Sequence, residues 1–302
     1  MPASTRYLVV TADDFGIGPA TTAGILDLAA AGRITASVLL VNSPHAADSV
    51  RIWQSRGRQP ELGWHPCLTL DRPVAPESSV PSLVGPDGYF WRLGAFIPKL
   101  LSGELSISEI EIELRAQYAA CRDLLGHPPA VVNFHHHLQV FPTVGRILRQ
   151  VLADQAMPPY LRRVRETWQM IAVIPGARVK RLFLSTLGKR EYQLQKRAGF
   201  PGNEWLAGVT NPALVSDPAF LVRWLRQVPG QVVELTCHPG YEDATLVGRD
   251  CTADDGQLQR RVSELRLLQS DSFLKECERA GFRLVSPTEL RNNNSSFSIH
   301  AA

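Results

Sequence analysis

The chain runs to 302 residues, 44% of them hydrophobic and 20% charged, with 6 Trp, 11 Phe and 6 Tyr. That is enough apolar material for a core, and it excludes disorder, a collagen repeat and a disulfide-stapled miniprotein; no run approaches the roughly 18 apolar residues of a membrane span. Lys and Arg number 32 against 29 Asp and Glu, a net +3 that gives no case for nucleic acid as a partner. The N-terminus enters a strand-like run at once, without the order of charge, apolar stretch and cleavage site of a signal peptide, so a cytoplasmic address is expected. Five cysteines with no C-x-x-C among them read as reduced thiols.

In chain order, Tyr7 to Thr11 (YLVVT) predicts a buried strand, followed by the turn DDFGIGP. Ile25, Leu26, Leu28 and Ala29 fit a helix from Ala20 to Ala31, with Gly32 placed to cap its C-terminus. A strand is expected from Thr35 to Val41, a helix around His45 to Arg56, and then a short strand ending in LGWH. This βαβαβ rhythm implies a parallel sheet covered by helices. Asp71 to Pro98 breaks the rhythm with Pro, Gly and Ser among aromatics. Tyr89, Phe90, Trp91 and Phe96 need a surface there, either a wall for sugar or lipid rings or a satellite apolar cluster.

Ser106 and Ser108 each precede a Glu by three residues, the capping-box spacing, and Ile110, Leu114, Tyr118, Cys121 and Leu125 form an apolar stripe closed by Gly126. A strand (AVVNF), a helix from about Thr143 to Gln155 and a basic section follow. Val232 to Cys237 predicts a further strand, Leu258 to Ala280 a further helix, and Phe282 to Val285 a last strand. With no repeat and no linker, the expectation is a single α/β barrel-like domain over residues 5–290, with 291–302 as a flexible tail. Such barrels place their chemistry at the carboxyl ends of the strands.

The unusual polar residues all occupy that position. Asp13 and Asp14 directly follow the first strand. In a chain still extended, neighbouring side chains point apart and the two acids gain different partners; the simpler alternative is a cap for the helix beginning near Pro19. His65 ends a strand and is followed by Pro66. In His135-His136-His137, residues i and i+2 of an extended segment share a face, so His135 and His137 could converge while His136 points away. His238 ends VVELTC and is followed by Pro239. Two His and one Asp suit a three-ligand metal site with open positions, leaving the second Asp and a further His for proton transfer.

The runs TADDFGIGPATTAGILDLAAAGRITASVLLVN, LGWHPCLT, PPAVVNFHHHLQVFP and ELTCHPGY resemble, in the same order, those of the YdjC-like carbohydrate deacetylases. That family includes chito-oligosaccharide deacetylases and deacetylases associated with hopanoid biosynthesis. The resemblance covers about residues 6–290. It implies a deformed (β/α) barrel of the polysaccharide-deacetylase kind and a divalent metal, Mg or Zn. By the same resemblance Asp14, His65 and His135 are the metal ligands, Asp13 the general base and His238 the general acid, with His137 lining the site. Many members carry Asp-Ser where this chain has Asn133-Phe134, and a further histidine where it has Gln139. Asn133 is thus expected to line the site, and the Asn form resembles the hopanoid-associated branch.

The implied reaction is metal-dependent removal of an N-acetyl group from an amino sugar, chito-oligosaccharide-like or lipid-linked. Arg178 to Arg197 holds seven Lys/Arg and one acid; it reads as a solvated helix face or as a surface that rests on anionic lipid. A homo-oligomer is the expectation for assembly. The competing readings are a metal-dependent phosphoesterase on a similar barrel, which needs more acidic ligands and a second metal, and a sugar-binding module without chemistry. A binder has no use for a paired base and acid, which Asp13 and His238 would provide.

Overall fold

A strand covered on both faces needs no polar alternation, which explains the unbroken apolar run that opens the chain. In the computed structural model, which describes residues 5–297 (side chains to residue 292), this run is β1, Arg6–Phe15, buried from Leu8 onward. The other strands are β2 (Ala36–Leu39), β3 (Glu61–Trp64), β4 (Val131–Val132), β5 (Tyr160–Leu161), β6 (Trp205–Ala207), β7 (Val232–Cys237) and β8 (Phe282–Leu284). Every pairing between them is parallel, in the order β5-β4-β3-β2-β1-β7-β6. β8 pairs with Arg6–Leu8 of β1. Because β7 already holds Tyr7–Ala12 from one side, β8 takes the other edge, below the point where β2 joins at Thr11.

Among the described residues no strand pairing joins β5 to β6. Two backbone bonds span that gap instead: Leu161 N–H donates to Pro201 C=O at 2.8 Å, and Leu206 N–H to Arg165 C=O at 3.0 Å. The sheet therefore curls into a deformed (β/α) barrel, closed irregularly on one side. Helices cover its outside, and all five cysteines are buried free thiols. No helix among the described residues is long and apolar enough to cross a membrane.

Several local expectations change. The helix anticipated over Leu258 to Ala280 is two, Gln257–Gln269 and Asp271–Arg279, broken at Ser270, whose backbone is extended (ψ 141°). The supposed tail starts as a helix, Pro287–Phe297; residues 298–302 lie outside the described residues. The excursion after Asp71 ends in a helix, Leu93–Ser102, that incorporates Pro98. Ser106, not Ser108, caps Ile107–Leu125, accepting from Glu109 N–H, and Gly126 closes it at φ 78°. In Arg178–Arg197, Arg181 and Glu191 are buried rather than solvated.

β3 and β4 approach so closely at Gly63 that an added Cβ would overlap the Val131 carbonyl. Gly63→Ala should lower unfolding stability in urea by about 1–3 kcal/mol or more; an unchanged midpoint would show that these strands separate freely.

Candidate metal centre and active site

The paired acids owe their placement to an irregularity in β1. Between Ala12 and Phe15 the register with β2 slips by one residue, and Asp14 sits at φ 64°. Asp tolerates that left-handed conformation better than most residues, and a bulge of this kind re-aims side chains. Both carboxylates then reach one cavity of about 270 Å³ at the carboxyl ends of the strands, and each has its own partners. Neither caps the following helix. Its N-cap is Gly18, and the N–H groups of Ala20 and Thr21 donate to Asp243 at 2.9 and 3.3 Å.

Asp13 is fixed by four hydrogen bonds from three side chains. Arg162 donates to both its oxygens at 2.6 and 2.8 Å, Thr236 donates at 3.0 Å and Asn133 Nδ2 at 3.2 Å. Burial alone would raise this carboxyl; the Arg162 guanidinium overrides it and holds Asp13 well below the usual carboxylate range. Arg162 is itself fully buried and also binds Glu234 at 2.7 Å. Burial prevails at Glu234, which is pushed up.

Asp14 faces the histidines. His65 Nε2 and His135 Nδ1 each lie 3.2 Å from its Oδ1, and ligand atoms of the three buried residues fall within 4.8 Å of one another. His65 Nδ1 is 2.7 Å from the Asn133 carbonyl. A carbonyl can only accept, so Nδ1 carries the proton and Nε2 presents a lone pair to a carboxylate. Two acceptors 3.2 Å apart call for a cation between them, and this donor set suits a divalent ion. Burial would lower His135, yet Asp14 raises it, which is the same preference for positive charge. Arg261 binds the other oxygen of Asp14 at 2.7 Å and Asp250 at 3.0 Å.

The histidine triplet departs from the expected geometry. The strand stops at Val132, and His136 and His137 take φ of 56° and 58° within a short 3₁₀ segment, His135–Val140. Alternation along an extended chain therefore does not govern their directions. His136 packs its ring 3.9 Å from that of His135 and bonds Thr69 Oγ1 at 2.9 Å through Nδ1. His137 lies outside the three-ligand group; it lines the cavity, buried and with Nδ1 unpaired.

His238 lies across the cavity, with Nε2 3.8 Å from Asp13 Oδ2. Arg260 Nη2 is 3.0 Å from Nδ1; since a guanidinium only donates, Nδ1 accepts and Nε2 carries the hydrogen. Burial first, and then the Arg260 charge, push this imidazole down to about 4. Glu264 accepts from the His238 backbone N–H and from Arg260 at 2.8 Å.

Arg162, Arg260, Arg261 and Glu264 were not found from the sequence. Arg162 follows β5 directly, the strand-end position that revealed the histidines, but a two-residue strand gives no periodic signal. Arg260 and Arg261 sit side by side on the helix Gln257–Gln269, with Glu264 one turn further on.

Comparison with known proteins follows the same lines. A family model described as YdjC-like protein matches residues 7–279. A carbohydrate deacetylase of Danio rerio is 35% identical over 201 residues, 66% of this chain and 60% of that one. The chain thus spans about three fifths of that relative, and about half of the mouse carbohydrate deacetylase, at 46%. A chitooligosaccharide deacetylase of Serratia marcescens is 27% identical over 94% of this chain and 99% of its own. A solved structure from Enterococcus faecalis V583, a candidate cellobiose-phosphate cleavage protein, shares the fold with TM-score 0.76 at 22% identity, covering 95% of this chain and 99% of that one.

Arg162→Met leaves Asp13 and Glu234 buried without their cation, and should cost about 3–5 kcal/mol at neutral pH. Asp13 has a lower pKa folded than unfolded. Its contribution is therefore complete above about pH 4 and is lost as pH falls further. Urea unfolding at pH 7 and at acid pH should show the gap between wild type and variant narrowing in acid; a gap independent of pH would count against the ion pair.

Proposed function

The chain belongs to the YdjC-like protein family, and from that premise we propose that it is a divalent-metal-dependent hydrolase that removes an N-acetyl group from an acetylated amino sugar. One observation carries the reading: Asp14, His65 and His135 form a metal-ready group in the same cavity as an ionised Asp13 and a hydrogen-bearing His238. Relatives named carbohydrate and chitooligosaccharide deacetylases support the chemistry. The substrate class is a chito-oligosaccharide-like or lipid-linked amino sugar, and the His₂Asp set favours Zn over Mg.

When bound, a divalent ion supplies Lewis acidity, lowering the pKa of a water and polarising the acetamide carbonyl. The residues do the rest. Asp13 stays ionised, and Arg162, Thr236 and Asn133 fix the carboxylate that accepts the proton as water adds to the carbonyl carbon. The C–N bond then breaks to give acetate and an amine, which must be protonated to leave. His238 would supply that proton, but while Arg260 occupies Nδ1 it offers only an Nε2–H hydrogen bond. As an acid it needs Nδ1 protonated, and Glu264, 3.9 Å from Nδ1, is the group that would hold the resulting imidazolium. A phosphoesterase would use a second metal, and one group of three or more metal-binding side chains occurs among the described residues.

A peripheral contact with anionic lipid also belongs to this reading. On the helix Arg178–Arg197, Val179, Leu182 and Phe183 lie exposed at helical spacing, opposite its buried face, and Trp168 on the preceding helix is 73% exposed. Lys180 of the same helix lines the catalytic cavity.

Two experiments test these proposals. In a mass-spectrometric screen of N-acetylated sugars, the metal-loaded protein should release one acetyl group. Asp13→Asn should keep its metal and lose about 10²–10⁴ in turnover, and Asp14→Ala should lose the metal by elemental analysis. Full activity in either variant would sink the assignment. Co-sedimentation with anionic vesicles should occur at low salt and weaken in Trp168→Ser; absence of binding at every salt would remove the lipid contact.

A further inference from the structure

His238 is held on two sides by one helix. From Gln257–Gln269, Arg260 Nη2 donates to its Nδ1 at 3.0 Å, and Glu264 accepts from its backbone N–H. The two helix residues also bond each other, Arg260 Nε to Glu264 Oε1 at 2.8 Å, at the i,i+4 spacing that brings side chains together. Glu264 Oε2 stands 3.9 Å from Nδ1, beyond hydrogen-bond range while the guanidinium holds that nitrogen. Nδ1 thus has two neighbours with opposite demands. The cation needs it bare, and the carboxylate needs it protonated.

Arg260 is the less firmly held of two adjacent arginines. Among the described residues it has one carboxylate partner, Glu264, where Arg261 has two, Asp14 and Asp250. Its bond to His238 goes to a neutral nitrogen, and Lys180, which lines the same cavity, repels it. Arg260 lines that cavity too, so the hydroxyl and carbonyl oxygens of an entering sugar meet it directly. Exchanging one neutral acceptor for another costs little. The other groups facing the ring lean both ways. On β1, Asp13, 3.8 Å from Nε2, and Asp14 favour a charged imidazole, as does Glu264, while His137 across the cavity disfavours it. Burial and then Arg260 outweigh the acids. Without Arg260 on Nδ1, an imidazolium would pair with ionised Asp13 and occupy the base before the amide arrived.

Resting on the deacetylase reading, we propose that Arg260 is a positioning residue that keeps His238 a neutral Nε2–H donor until substrate enters and then yields Nδ1 to Glu264. Nδ1 takes a proton from solvent as the guanidinium turns to the sugar. The imidazolium passes its Nε2 proton to the amine as the C–N bond breaks, and is left as the neutral Nδ1–H tautomer on Glu264. A general acid works only while protonated, so its signature is a fall in rate as pH rises; kcat/KM reports the acid in the free protein and kcat in the substrate complex. With zinc-loaded wild type and diacetylchitobiose, the kcat/KM fall should come at least about one pH unit below the kcat fall. Arg260→Met should raise the kcat/KM fall to meet it. Arg260→Lys, which keeps a cation beside Nδ1, should stay near wild type. Coincident falls in wild type, or no movement in Arg260→Met, overturn the proposal. Nitrogen-15 NMR of His238 in the zinc-loaded protein needs no turnover: Nδ1 should be bare and Nε2 protonated at pH 7, and the ring should titrate higher in Arg260→Met than in wild type. Equal titration in the two also overturns it. The expected NMR difference without acetyl release by wild type would tell against the deacetylase reading instead.

Discussion

The centre of the barrel depends on one buried cation. Arg162 lies fully buried between two carboxylates, Asp13 on β1 and Glu234 on β7. One guanidinium does not offset two full negative charges in a medium of low dielectric, and the conflict is resolved unequally. Asp13 receives a bidentate pair with two further donors and is held strongly ionised; Glu234 receives less and is pushed toward its neutral form. Burying such a cluster is tolerable only if nearly every charge and hydrogen finds a partner. The shape of the interior follows from that requirement.

The requirement also joins parts of the chain that the sheet leaves apart. β5 and β6 do not pair, so Arg162, which follows β5, would sit beside an open seam if backbone bonds alone closed the barrel. Its side chain reaches across to β1 and β7 instead, linking positions 149 and 72 residues distant in sequence. Asn133, which directly follows β4, adds a third tie, donating to Asp13 through its amide while its carbonyl sets the tautomer of His65. One residue thus connects Asp13 with His65 and, through it, with Asp14. A carboxylate at position 133 would set a second anion against Asp13, so the asparagine keeps the balance that Arg162 establishes.

How much of this could be read in the sequence depended on element length. β1, β2, β3 and β7 are runs of four or more residues, nearly all buried, and their ends exposed Asp13, Asp14, His65 and His238 as a common pattern. β4 and β5 have two residues each and no period, so Arg162 was invisible, although it obeys the same strand-end rule. His135 is named as a ligand by the resemblance and stands in the three-residue group, but the alternation that paired it with His137 is not sustained. Its segment is not extended, and positive φ at His136 and His137 breaks the alternation on which the pairing of His135 with His137 relied. The basic helix misled in another way. Composition cannot show that Arg181 turns inward to Glu166 or that Glu191 meets Arg149 from another helix, because those partners lie far off in sequence.

Asp13 and Asp14 are neighbours of the same residue type, and only their partners distinguish them. The bulge in β1 separates the two and sends one to arginine and the other to histidine. At Asp14 the division continues between its two oxygens, Oδ1 toward His65 and His135 and Oδ2 toward Arg261. An oxygen already committed to a guanidinium is a poor second ligand, so Arg261 would restrict Asp14 to offering a cation one atom. It also brings a positive charge close to the place where that cation would sit, and Asp250 offsets the repulsion by sharing the same guanidinium nitrogen. Affinity for an ion at this site would be set by a balance among Asp14, Arg261 and Asp250, as the ionisation of Asp13 is set by a balance with Arg162 and Glu234. In both cases an arginine shared between two acids decides which of them is free to act.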